Sequence, residues 1–133
     1  MGFAFVYTCQ KLVGFIKIFK TSYKKMKKKY LVTFDAHNDH ERIIKDLIAK
    51  GWHSVMQGKN GNGQDVIIYM PNTTWYKEFN SAKLASEELK SIVGILNLIR
   101  HNVVAFTEFY GGTANPMAHQ IEEAKKMGLK SAA

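Results

Sequence analysis

From Tyr30 onward the apolar positions switch between a period of two and a helical period. Tyr30–Asp35 (YLVTFD) is short, β-branched and aromatic, with Leu31 and Thr33 alternating against Val32 and Phe34, which predicts a strand. Asn38 with Glu41 three residues later predicts a helix start, Asn38 as N-cap and Glu41 at the capping-box position. Ile43, Ile44, Leu47 and Ile48 supply its buried face, and Gly51 its left-handed closing residue. Trp52–Gln57 and Asp65–Met70 read as two strands joined by a hairpin, since Asn60-Gly61 and Asn62-Gly63 tolerate positive φ. Pro71-Asn72 ends the second of them, and Thr73–Phe79 reads as its continuation beyond a kink. Ala85, Leu89, Ile92, Leu96 and Ile99 then step by four, three, four and three, predicting a long helix from Ser81 to Ile99 through Gly94. Asn102–Tyr110 reads as a fourth strand broken by Gly111-Gly112, and Asn115-Pro116 caps a short helix Met117–Met127 closed by Gly128.

The order β-α-β-β-α-β plus a terminal helix predicts an α+β fold. Its expected form is a ferredoxin-like βαββαβ plait, a four-stranded antiparallel sheet with both helices on one face and an extra C-terminal helix. The expected division is a leader over 1–29, the plait over 30–112 and the terminal helix over 113–133. Val, Phe and Tyr on the uncovered sheet face predict a homo-oligomer, a dimer foremost, formed through that face or through an edge.

Charge changes the picture only at the N-terminus. The 133-residue chain suits one compact domain, and its single cysteine, Cys9, excludes an internal disulfide or a cysteine-held zinc. The net charge of +8 points towards nucleic acid until it is placed along the chain. Residues 1–30 hold eight lysines and no acid, whereas residues 31–133 hold 11 basic and 11 acidic groups and are neutral. The leader carries an apolar stripe, Phe5, Cys9, Leu12, Ile16 and Phe19, at helical spacing. Lys11 and Lys17 interrupt it as a membrane span, and its lysines follow the apolar run, the reverse of a secretory signal. Three readings are an amphipathic helix on an anionic membrane, an extra helix on the domain, and sequence upstream of a natural start at Met26. Met26-Lys-Lys-Lys-Tyr-Leu-Val, running straight into a strand, favours the last, and with it a cytoplasmic protein.

The densest polar stretch is Asp35-Ala-His37-Asn38-Asp39-His40-Glu41, at the exit of the first strand, where a rigid sheet positions side chains and solvent reaches them. Asp35 is the expected ligand of a divalent metal, Mg²⁺, bound better when a symmetric dimer supplies two such carboxylates. His37 and His40 suit general acid or base work near neutral pH. The plainer reading gives Asn38 and Glu41 to capping, Asp39 to the helix dipole and His40 to the helix surface. His53, His101 and His119 lack metal-ligand spacing and read as surface or cap residues. The Gly58–Gly63 loop precedes a strand and lacks the phosphate-binding pattern. Trp75, Tyr76 and Phe79 fit base stacking less well than core, and no serine has a nucleophile-elbow context.

Tyr30-Leu-Val-Thr-Phe-Asp35, followed by a charged helix ending Ala49-Lys-Gly-Trp52 and a short strand, resembles the start of the Cas2-like small ferredoxin-fold proteins. That group includes the VapD-type ribonucleases and the endoribonuclease antitoxin of type V toxin–antitoxin systems. Lys83-Leu-Ala-Ser-Glu-Glu-Leu89 is similar to the second-helix start of the antitoxin group. The resemblance covers Tyr30 to Tyr110. It implies a dimer acting on RNA, with Asp35 matching the first-strand carboxylate that faces its mate and binds metal. The neutral body lacks the arginine-rich surfaces of that family. The expected function is therefore a metal-assisted, RNA-processing or antitoxin-like endoribonuclease dimer. The alternatives are a PII-like small-molecule-binding oligomer using the Gly58–Gly63 hairpin, or a non-catalytic protein-interaction module.

Overall fold

The computed structural model describes residues 27–109 and 115–131. Strand β1 (Lys28–Ala36) buries Tyr30, Val32 and Phe34 and turns Leu31, Thr33 and Asp35 to its other side, as its alternation requires. It is the centre of a three-stranded antiparallel sheet, with β4 (Thr74–Phe79) on one side and β5 (Leu98–Phe106) on the other. Helices α1 (His40–Ala49) and α2 (Ala82–Val93) both cover the face that carries Val32. Ile43 and Leu47 from α1, and Ala85, Leu89, Ile92 and Val93 from α2, share one core with Tyr30, Val32, Phe34, Trp52 and Trp75. Each of these large side chains contributes about 1.5–3 kcal/mol by leaving water.

Local signals set most helix ends. Gly51 closes α1 with φ +85°. Its N–H donates to Ile48 O at 3.1 Å and that of Trp52 to Leu47 O at 3.0 Å, a Schellman closure. The same pattern ends α3 (Ala118–Lys126), with Gly128 at φ +69° and the Leu129 N–H donating to Ala124 O at 3.1 Å. Ser81 caps α2, its Oγ accepting from the Leu84 N–H at 3.2 Å.

Three expectations need correction. The N-cap of α1 is Asp39, at φ +65° and without a side-chain cap bond, rather than Asn38. Asn38 is engaged elsewhere: its N–H donates to Asn97 Oδ1 at 3.0 Å and its carbonyl accepts from Asn97 Nδ2 at 2.9 Å. Helix α2 stops at Val93, short of the expected Ile99. Gly94 leaves helical geometry at φ +94°, and Arg42 reaches from α1 to bond the Ile92 and Val93 carbonyls at 2.9 and 3.3 Å. Leu96 and Ile99, spaced as if to continue the helix, are 95% and 52% exposed.

The third correction concerns the sheet. The hairpin strands β2 (Val55–Lys59) and β3 (Asp65–Tyr69) form their own two-stranded sheet, so the four-stranded sheet does not form. Among the described residues one backbone bridge, His53 with Tyr76, joins the two sheets, through paired bonds of 2.9 Å. Pro71 has no N–H to continue a ladder, and the chain turns there: Thr74 N–H donates to Pro71 O at 2.9 Å and Trp75 Nε1 to Asn72 O at 2.7 Å. Met56, Ile68 and Met70 of this bent hairpin pack on Tyr76, Leu31 and Phe106, on the face the helices leave bare. Within the hairpin Gly58 makes room for the Ile68 side chain, since a Cβ there would collide with Ile68 Cδ1. Part of the face expected to await a partner is thus covered from within. Among the described residues no helix is long and apolar enough to cross a membrane. The leader readings and the Gly111-Gly112 break lie outside the described residues.

Candidate functional site

Asp35 stands at the end of β1 beside a register shift between Asp35 and Ala36. Its register partner on β5 is Arg100, whose Nε donates to Asp35 Oδ2. With Thr33, Thr73 and Asn102 the pair lines a shallow cavity of about 110 Å³ on the face opposite the helices. The chain leaves Asp35 through a turn pinned from a distance. The His37 N–H donates to Asn97 O at 2.9 Å, and Asn97 holds Asn38 through both ends of its amide. His37 and His40 therefore project into solvent from a braced turn, His40 over a cavity of about 270 Å³ floored by Phe34, Ile43 and Ile44. Asn97 is the residue that sequence reasoning missed here. Nothing local marks it, because its partner lies 59 residues away.

The donor set at Asp35 does not fit a magnesium ion held by one protomer. One carboxylate is present, Arg100 already occupies it, and among the described residues no three His, Cys, Asp or Glu side chains converge.

A second polar cluster joins α3 to the start of the hairpin. The Glu123 carboxylate takes the Ser54 hydroxyl at 3.0 Å, the Ser54 N–H at 3.3 Å and His53 Nδ1 at 3.0 Å. Gln120, 2% exposed, donates through Nε2 to Met70 O at 2.7 Å and Ser54 O at 3.3 Å, while its Oε1 accepts from the Met117 N–H at 3.0 Å. Ser54 is wholly buried and gives its proton to a carboxylate, so this constellation fastens α3 and presents no nucleophile. Tyr76 beneath it donates to Val55 O at 2.7 Å, and burial, then the Glu123 charge, pushes its hydroxyl up to about 12.

His53, His101 and His119 are packed rather than free. His101 Nε2 lies 2.7 Å from Ser86 Oγ, but among the described residues no carboxylate orients that ring. His119 stacks flat on Trp75 at 5.8 Å, with both ring nitrogens buried and without hydrogen-bond partners. Burial lowers its pKa from the ordinary 6.5, against a smaller opposing pull from Glu123. The fold thus favours the neutral ring, while the unfolded chain takes up the proton more readily. This contribution to stability is full above about pH 6.5 and is lost as pH falls from there through the lowered folded value. His119→Phe keeps the stack and should flatten that acid-side decline in melting temperature. Parallel wild-type and variant profiles between about pH 5 and 8 would refute the assignment.

Compared with protein-family models, curated proteins and solved structures, the chain matches none.

Proposed function

We propose that the chain is a cytoplasmic RNA-processing domain that cleaves phosphodiesters at the braced turn after β1. The observation that carries this reading is the turn itself: two exposed imidazoles, His37 and His40, on a segment whose backbone Asn97 holds at His37 and Asn38, beside a carboxylate paired with Arg100. One imidazole takes the proton of a ribose 2′-hydroxyl as its oxygen attacks phosphorus. The other returns a proton to the departing 5′-oxygen, leaving a 2′,3′-cyclic phosphate. Arg100 keeps Asp35 from repelling the phosphate, and Thr33 and Asn102 offer hydroxyl and amide contacts nearby. The architecture reads as a ferredoxin-like plait whose outer hairpin has folded over the sheet at Pro71, in keeping with the Cas2-like resemblance.

The test is an RNA panel assayed with magnesium and with EDTA. His37→Ala and His40→Ala should each lower cleavage by about 10²–10⁴-fold, and binding should weaken steeply with added salt. Cleavage that survives the double variant, or RNA binding indifferent to salt, would sink the proposal. Strict dependence on magnesium, abolished by Asp35→Ala, would return the metal role to Asp35. A non-catalytic interaction module is the second reading, favoured by the outer edge of β5, which has no strand partner among the described residues.

A further inference from the structure

Beside the turn after β1 lies a hollow that the cleavage chemistry leaves unused. It is the cavity of about 270 Å³ lined by Phe34, His40, Ile43, Ile44, Asn72 and Thr73. Helix α1 supplies one wall, because His40 and the residues three and four positions on, Ile43 and Ile44, share one face of its first turns. Asn72 and Thr73, in the turn before β4, supply the other. That turn is fixed: the Phe34 N–H donates to Thr73 O at 3.1 Å, and Asn72 O accepts from Trp75 Nε1 at 2.7 Å. Phe34 and Ile43 are 5% and 1% exposed, so the floor is part of the core.

The lining limits what can enter. It holds no acid, lysine or arginine, so nothing in it balances a charged occupant. The floor is apolar, whereas the Asn72 amide and the Thr73 hydroxyl have no hydrogen-bond partner among the described residues. The volume falls just below the roughly 300–1,000 Å³ of pockets that enclose a drug-sized molecule, which leaves room for one ring system. A flat, neutral heterocycle with apolar faces and a polar edge meets all three conditions. With His40 in the lining, the sugar and phosphate of such a group would lie beside an imidazole that the proposed reaction uses.

We propose that this hollow receives one unpaired base of a single-stranded RNA, its face on Phe34, Ile43 and Ile44 and its edge against Asn72 and Thr73. On the RNA reading, on which this depends, the hollow also sets the class of strand. A paired base would have to leave its stack to enter, so the substrate is single-stranded at the cut.

The experiment uses the full chain and one RNA sequence, offered single-stranded and annealed to its complement. The single strand should be cut roughly tenfold faster or more. An abasic ribonucleotide is then placed in turn on either side of the cut linkage. At one of the two positions it should lower kcat/KM by about 5- to 100-fold, as expected when a base loses its stacking surface. Ile44→Trp, whose indole fills the hollow, should slow the intact strand by a similar factor and make cleavage indifferent to the abasic change, since both remove the same contact. Asn72→Ala, on an exposed turn residue, should act in the same sense more weakly, and it serves where the tryptophan variant does not fold. Abasic strands cut as fast as the intact one at both positions, or a duplex cut as fast as the single strand, would overturn the base pocket and leave the RNA reading standing. If no RNA is cut, the RNA reading has failed, and millimolar adenosine decides the pocket alone. Shifted methyl resonances of Ile43 and Ile44 then uphold it, and unmoved ones overturn it.

Discussion

Trp75→Ala is expected to cost about 3–5 kcal/mol, a large part of the 5–15 kcal/mol that holds a typical domain folded. Trp75 is fully buried where three structures meet. Its ring belongs to the helix-side core, it stacks on His119 of α3, and its Nε1 donates to Asn72 O at 2.7 Å across the turn at Pro71. Truncation opens a cavity in the core, frees one face of His119 and loosens the turn that bends the hairpin away from β4. Trp75→Phe retains most of the ring and should lose clearly less. Urea denaturation measures both. A loss below about 1 kcal/mol for the alanine variant would mean that the core does not depend on this residue.

Glu123→Ala should be the next most damaging change, at about 3 kcal/mol. The carboxylate is the acceptor for the Ser54 N–H and hydroxyl, and Ser54 is wholly buried, so both donors would be stranded. Each stranded buried donor costs about 1–3 kcal/mol. Glu123→Gln keeps an acceptor oxygen and should recover much of the loss. The damage should be local at first: hydrogen exchange should quicken at Gln120–Ala124 before it quickens in β1, which is zipped on both sides. Ultraviolet titration gives a separate readout. Removing the negative charge should lower the Tyr76 hydroxyl from about 12, though burial, the larger cause, should keep it above an ordinary tyrosine. An unchanged Tyr76 titration together with unchanged exchange in α3 would show that Glu123 does not fasten the helix.

The expected and observed folds part company at identifiable residues. Leu96 and Ile99 keep a helical period with Leu89 and Ile92, and the spacing alone cannot register that Arg42, 50 residues away, caps α2 at Ile92. Asn38 is a good N-cap by type, but Asn97 takes its backbone groups first. Pro71 is visible as a breaker. Whether the strand resumes in the same sheet depends on Ser54 O taking the Met70 N–H at 2.8 Å and on the hairpin finding Leu31 and Phe106 to cover. At the candidate site, Asp35, His37 and His40 were legible as a polar strand exit. Arg100, Asn97 and the Ser54–Gln120–Glu123 fastening were not, because each joins segments more than 50 residues apart.

Sequence by itself determined what local chemistry decides: the alternation that makes β1 a half-buried strand, the stripes of α1 and α2, and Gly51 and Gly128 as closures. It also placed all the excess charge ahead of residue 31. Tertiary structure alone decided that the hairpin leaves the sheet, that α3 is held by a buried carboxylate and amide, and that Asp35 is paired with Arg100. The physical reason is range. Helix periodicity, caps and turns act over a few residues, whereas burial, ion pairing and strand pairing depend on which distant segments the folded chain brings into contact.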